Sequence, residues 1–477
     1  MGNCGIIICR KTFTGGSLAA QRKYPPGWGN KKGFVILQLE GKSLCSDFIR
    51  YASACMASLM VFSLYSMVDG LLVSLGVNEY AMSAVNLAIP YTNVLFSIAV
   101  MFAVGTSTII AIYLAQNKKE QADALFSQNF FLLLGIGLLF TVAVLFFRER
   151  IALLLGADEV TLDYVKQYLL GLAPFSACFI ISYNLEVLVK TDGFPRLAVI
   201  SVTSGALANL VLDYIAIFWF DMGVFGAAVA TGASQLLTCV IYLSHFFGSK
   251  CTFRLRKFRF DPRIYKRLLP IGLSDGVTEL CNGLMILIFN RTVQKYLGAD
   301  GLVTYTVIAY MNTIVINLMM GISQGAQPLV SYRYGKGDIR SCATLLRYAL
   351  IAVVIIGVPT FVGLYIFAPG IVNAYLSEAS AELVAKSIVA FRQYGVSWML
   401  MGFNVAIGGY LTALERPQPA ILISTGRGLI VQSLVLVTIA AVTNGAGLWF
   451  TPIFSEILVL GMAVLFLKRN MKQLQQI

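Results

Sequence analysis

Long apolar runs separated by short polar connections dominate the chain. The runs are around 20 residues or longer, the length at which an α-helix crosses a bilayer. They do not show the roughly 10-residue alternation of a membrane barrel. The pattern predicts about twelve spans, at 48–75, 80–115, 121–147, 160–188, 196–220, 223–247, 264–292, 301–334, 339–367, 379–413, 417–442 and 446–468. Several exceed the ~20 residues that suffice to cross, which predicts tilt or extension past the hydrocarbon. Pro90, Pro174, Pro328 and Pro359 fall inside spans, where a lost backbone hydrogen bond can kink a helix.

Composition agrees with this reading: 58% of the 477 residues are hydrophobic and only 12% charged, against about 25% charged in soluble domains. The chain is therefore read as an all-α integral membrane protein. Its net charge of +13 does not signal nucleic-acid binding, because the basic residues track the connections between spans. Nine cysteines without a CxxC pair give neither a metal nor a disulfide framework. The single histidine, His245, lies at the end of a span and is read as an interfacial residue; its solitude argues against a His-ligated metalloenzyme.

Residues 1–45 are polar and Gly/Lys-rich without the apolar region of a signal peptide, and are read as a cytoplasmic extension. Met1-Gly2 resembles a myristoylation start, but Ile6 stands where Ser or Thr belongs. Alternate connections are basic, among them NKKEQ (117–121), KTDGFPR (190–196), the long KCTFRLRKFRFDPRIYKR (250–267) and RYGKGDIR (333–340). The others, such as GADEVTLD (156–163) and SEASAE (377–382), are acidic or neutral. Arg148 and Arg150 break the rule, but the sum places the basic set and both termini in the cytoplasm of a cell inner membrane.

The chain repeats itself. Leu75-Gly76 and Leu297-Gly298 follow equivalent spans 222 residues apart, Pro195 and Pro417 share that offset, and so do Gly223 and Gly445. With a two-residue gap, Gly105 matches Gly325. This predicts two pseudo-symmetric six-helix bundles of the same orientation: an N-lobe at 46–249, a basic linker at 250–263, a C-lobe at 264–468 and a tail at 469–477. Parallel repeats of this kind are a signature of transporters whose halves rock about a central substrate.

Asp213 lies in an otherwise uncharged apolar stretch, Leu197–Phe220, with Asn209 one turn before it on the same face. Asp69, late in the first span, and Thr231, early in the sixth, come to matching depth, about 9–12 Å below the outer surface. A carboxylate inside a membrane is costly unless paired or used. Two carboxylates, an amide and a hydroxyl at one depth suit a small hard cation, Na⁺, or a proton. Emptied, the like charges repel and recruit H⁺ or Na⁺; loaded, they let the helices close. The plainer alternative is that each acid caps a helix or reaches the interface. The offset-222 counterparts are Arg291, Val431, Val435 and Ile453, so the architecture does not require these polar groups.

In the second half, Glu279 lies midway along the seventh span with Asp275 one turn earlier, a second candidate for coupling or substrate contact. Arg427 and Glu456 fall in adjacent spans at comparable depth and are read as a structural charge pair. Tyr65 and Gln235, one turn from Asp69 and Thr231, are read as cavity lining.

Three stretches, YSMVDGLLVSLGVNEYAMSAVNLAIP, KTDGFPRLAVISVTSGALANLVLDYIAIFWFDMGVFGAAVATGASQ and GISQGAQPLVSYRYGKGD, resemble the multidrug and toxic compound extrusion (MATE) family of cation-coupled antiporters. The resemblance implies a V-shaped pair of bundles and a cation site at the positions of Asp69, Asn209, Asp213 and Thr231, with a seventh-helix glutamate at Glu279. It also implies exchange of Na⁺ or H⁺ for amphipathic, often cationic compounds, without a cofactor. Two departures are plain: the tenth span has no acid within it, and the first lacks an early proline. The competing expectation is a flippase or exporter of lipid-linked saccharides, which shares the architecture but calls for several cavity arginines; only Arg291 and Arg427 lie deep. An intramembrane enzyme built on Asp275 and Glu279 lacks any nucleophile or metal motif. The expected partners are small molecules and the lipid bilayer, with the chain acting as a monomer.

Overall fold

Fourteen α-helices carry the regular structure of the described residues, and no strand is present among them. The computed structural model describes the backbone of residues 43–475 apart from 77, 78, 160 and 377–379. The side chains of 66, 67, 69–71, 73–83, 86 and 472–475 also lie outside the description. Of the sequence-based expectations, the extension at 1–45 falls almost wholly outside it, and so does the Asp69 side chain.

The N-lobe consists of α1 (Leu44–Gly76), α2 (Glu79–Ala115), α3 (Lys119–Leu154), α4 (Leu162–Leu172), α5 (Ser176–Thr191), α6 (Pro195–Tyr214) and α7 (Gly223–Phe247). The C-lobe has α8 (Tyr265–Gly335), α9 (Ile339–Tyr375), α10 (Ala381–Gly395), α11 (Trp398–Ala413), α12 (Pro417–Thr425), α13 (Val431–Thr443) and α14 (Thr451–Gln475). α4 and α5 are one span jointed at Ala173–Phe175, where Pro174 removes a backbone donor. Among the described residues, eleven helices or helix pairs are long and apolar enough to cross a membrane, and one of them, Pro262–Gly335, covers 74 residues. That length is far beyond the ~20 residues of one crossing. The helix leaves helical geometry at Gly298 (φ 68°), a backbone conformation suited to glycine. The seventh and eighth spans are thus both within α8, which reconciles eleven with the twelve expected.

The lobes meet through small residues. A Cβ on Gly105 (α2) would stand 2.5 Å from the Leu268 carbonyl oxygen, and one on Gly325 (α8) 2.6 Å from the Ala52 Cα of α1. The two glycines matched by the repeat therefore each occupy an inter-lobe crossing. Gly272 on α8 packs on the Met101 backbone and Gly321 on Met56, and Ser97 donates to the Gly276 carbonyl at 2.8 Å. Small side chains let membrane helices approach closely. These crossings lie between mid-depth and the end of the bundle that carries the linker.

The linker is itself fastened. Residues 252, 254 and 256 donate alternate backbone N–H groups to Asp192 Oδ1 (2.8 Å), Asp123 Oδ1 (2.8 Å) and Ser127 Oγ (2.9 Å). Gln128 closes a two-way bond with the Asp261 backbone at 2.9 and 3.1 Å, and Phe258 stacks on Phe131. Asp123, Ser127 and Phe131 are four residues apart, hence one stripe of α3. An extended strap, whose successive groups alternate sides, is stitched along that stripe.

Candidate functional site

Ser201, Gly205, Asn209 and Asp213 form an i, i+4 stripe of buried small and polar residues down α6. The stripe faces α7. Asn209 Nδ2 approaches Thr231 Oγ1 at 3.4 Å, and Thr231 Oγ1 donates to the Ala227 carbonyl at 3.0 Å. Asn209 and Asp213 have no exposed surface, and the Asn209 Oδ1 has no hydrogen-bond partner among the described residues. Immediately after Asp213 and Tyr214 the helix widens to a π-turn at Ile215–Trp219, a local form often found at functional positions. α1, which carries Asp69, packs on α6 as well. The structure thus brings Asn209, Asp213 and Thr231 together, whereas the position of the Asp69 carboxylate lies outside the described residues. Oxygen donors of this kind suit a hard cation. No group of three His, Cys, Asp or Glu side chains arranged for a metal is present among the described residues.

Gln235 belongs to the same neighbourhood through Ser182, whose hydroxyl donates to Gln235 Oε1 at 2.7 Å. Tyr65 begins an aromatic string: it meets Phe62 edge-on, Phe62 stacks with Phe96, and Phe96 meets Tyr183 at 4.7 Å. This aromatic string ends at the opposite lobe, where Gln324 Nε2 donates to Tyr183 Oη at 3.4 Å. Tyr183 is within electrostatic reach of Glu186, Glu279 and Asp275.

Glu279 and Asp275 are half-buried on α8, and Asp275 Oδ2 accepts from Gln327 Nε2 at 3.3 Å. Asp275 and Gln327 line a cavity of about 20 Å³ with Asn404 and Arg427, room for a single water. Arg427 Nε donates to Glu456 Oε1 at 3.0 Å, and Asn404 Nδ2 donates to Glu456 Oε2 at 2.6 Å. Arg427 sits in a second π-turn, Gly426–Ile430. Its guanidinium is engaged by Glu456, and Arg291 is exposed.

Two groups escaped the sequence reading. Glu186 and Lys190, both buried on α5, pair at 2.6 Å; their i, i+4 spacing in the apolar LEVLVK was the available signal. His245 is not a bland interfacial residue: Nε2 stands 2.8 Å from Asp192 Oδ2, with 8% of its side chain exposed.

The family model MatE matches residues 54–215 and 276–439. The chain belongs to the MatE family. The two matched blocks begin 222 residues apart, the offset of the repeat, so each lobe is one MatE unit. Among curated proteins, the chain is similar to Multidrug export protein MepA of Staphylococcus saprophyticus subsp. saprophyticus, 24% identical over 81% of this chain and 85% of that protein. It is also similar to the protein of that name from Staphylococcus aureus, 22% identical over 86% and 92%. Among solved structures it is similar to an outward-facing multidrug resistance MATE family transporter of the MOP superfamily, with a TM-score of 0.88, 21% identity, and coverage of 94% of this chain and 100% of that one. This MatE protein is accordingly an all-helical, multi-pass membrane protein of a transporter family.

Proposed function

We propose that the protein is a secondary active multidrug efflux transporter that exchanges H⁺ or Na⁺ for amphipathic, often cationic compounds. The observation that carries this reading is the Asn209–Asp213–Thr231 cluster, with its amide and carboxylate fully buried, beside a π-turn in one of two MatE lobes. The relatives named for multidrug export support the same direction.

The mechanism follows from charge. In the N-lobe, Asp213 with Asn209, Thr231 and Asp69 holds the ion. Loading removes net negative charge from a low-dielectric site, so α6 can pack more closely on α1 and α7; release reverses the change. The N-lobe aromatic string offers π-faces to an amphipathic cation, and Glu279 and Asp275 opposite it supply counter-charge. Glu186, held by Lys190, tunes that field without a net charge of its own. The rocking of the two lobes about their glycine crossings converts ion binding into alternating access.

The test is dye efflux from vesicles driven by a pH step or a Na⁺ step, each with the other gradient held at zero. Efflux on one step, weakened for cationic but not neutral substrates in Glu279→Gln, is the expected result. Absence of efflux of any cationic dye under both gradients would overturn the reading.

A further inference from the structure

The strap carries a band of positive charge that the protein itself leaves unanswered. Arg256 is taken by Asp123, and Arg267 by Glu415 at 2.6 Å. The Asp261 carboxylate is occupied in accepting from the Arg263 backbone N–H. Lys250, Lys257, Arg259, Arg263 and Lys266 are exposed, and none of them makes an ion pair among the described residues. Phe260 lies among them with 54% of its surface exposed.

These cations cannot drift away from the bundle. Every second backbone group from 252 to 256 is bonded to a buried or half-buried side chain, and Phe253 is fully buried against Phe126 and Phe246. The turn between α2 and α3 adds Lys118 and Lys119, both exposed. Together with Arg256 they border a groove of about 470 Å³.

What lies next to the band along α3 decides the partner. Phe131, stacked under Phe258, is 52% exposed, and Leu138, Leu139, Val142 and Leu145 follow it outward-facing at 52%, 66%, 48% and 46%. A helix face of this composition meets lipid tails. A lipid whose tails lie along Leu138 and Leu139 therefore places its headgroup at the strap. Negative surface charge in that leaflet attracts such a segment within a Debye length.

We propose that the strap and the α2–α3 turn form a docking surface for anionic phospholipid headgroups in the adjacent leaflet, with Lys257, Arg259 and Arg263 meeting the phosphates and Phe260 inserted among them. The full-length protein carrying Phe260→Trp, reconstituted in bilayers of phosphatidylcholine and phosphatidylglycerol, tests this by fluorescence quenching with brominated lipid, the unsubstituted protein giving the background. At equal mole fraction and low salt, brominated phosphatidylglycerol should quench the added signal about threefold more strongly than brominated phosphatidylcholine. The further change Lys257→Gln/Arg259→Gln/Arg263→Gln should bring the two to parity. Equal quenching by the two lipids before that change would overturn the proposal, as would quenching by neither, or a preference that survives the triple change.

Discussion

The two lobes share a fold unit but none of their buried charges. At the 222-residue offset, the N-lobe's Glu186, Lys190, Asp192 and Asp213 face Gly408, Thr412, Leu414 and Val435 in the C-lobe. In the other direction, Asp275, Glu279, Arg427 and Glu456 correspond to Ser53, Ala57, Gly205 and Ser234. Some of the framework persists beneath the exchange. Ser182 bonds Gln235 in one lobe, and Asn404, its counterpart, bonds Glu456 in the other. The fifth span of each unit contains a π-turn, after Asp213 in one and around Arg427 in the other. Duplication thus kept the scaffold, but the two π-turns fall at different depths, since 426–430 corresponds to 204–208 rather than to 215–219, and the charges diverged: an acid with an amide and a hydroxyl on one side, a neutralised ion pair on the other. That difference is the basis for the proposal that ion coupling belongs to the N-lobe and that the Arg427–Glu456 pair serves stability.

The largest expected effect breaks the N-lobe half of the comparison. Asp213→Asn should reduce ion-driven dye efflux to that of empty vesicles while insertion and yield remain normal. Efflux at the parent rate would show that the buried acid is structural. The C-lobe half is broken by Glu456→Leu, which strands a buried guanidinium and should cost about 3–5 kcal/mol of stability, read as a lower Tm. Replacing both partners, Arg427→Met with Glu456→Leu, should recover most of that loss and leave efflux ion-driven. If the double variant uncouples transport, the pair is not merely structural.

Gly325→Ala tests whether the lobes depend on close crossings. The added methyl meets the Ala52 backbone, so a loss of about 1–3 kcal/mol is expected, with Gly105→Ala giving a similar loss at the partner crossing. A neutral result at both would mean that the crossings yield easily. The smallest effect concerns Asp192, where the C-lobe has Leu414. Burial pushes the Asp192 carboxyl above the ordinary carboxylate range, against the opposing pull of His245. A raised folded value gives stability that is full below the unfolded pKa and is lost as pH rises through the folded one. The Tm of the parent relative to Asp192→Asn should therefore fall between about pH 4 and the folded value; a pH-independent difference would remove Asp192 from the account.

Much of this was legible in the sequence, because a bilayer imposes a coarse and strict pattern. Spans are long and apolar, and the charge of the connections alternates. The repeat was visible in glycines and prolines because a backbone constraint, such as the reversal at Gly298 or the contact at Gly325, tolerates few substitutes. Asn209, Asp213 and Thr231 could be grouped by depth alone. Depth does not say which way a helix face turns, and so the aromatic string that runs from Tyr65 through Phe62 and Phe96 to Tyr183 was not foreseen. The strap was read only as a basic tether, since its partners on α3 lie some 130 residues upstream and pair with its backbone, which leaves no side-chain signature. His245 and Asp192 were missed for a like reason: they are 53 residues apart and belong to different helix ends.

The crossings at Gly105 and Gly325 carry one more consequence. Stiff bodies joined by close crossings move most easily by rotation about the line that joins them, which is the motion that the proposed alternating access would use. Where backbone presses on backbone there is no long side chain to flex, so sliding and twisting are resisted while hinging is not. Each copy of the repeat thus supplies the glycine of one crossing and the surface that receives the glycine of the other.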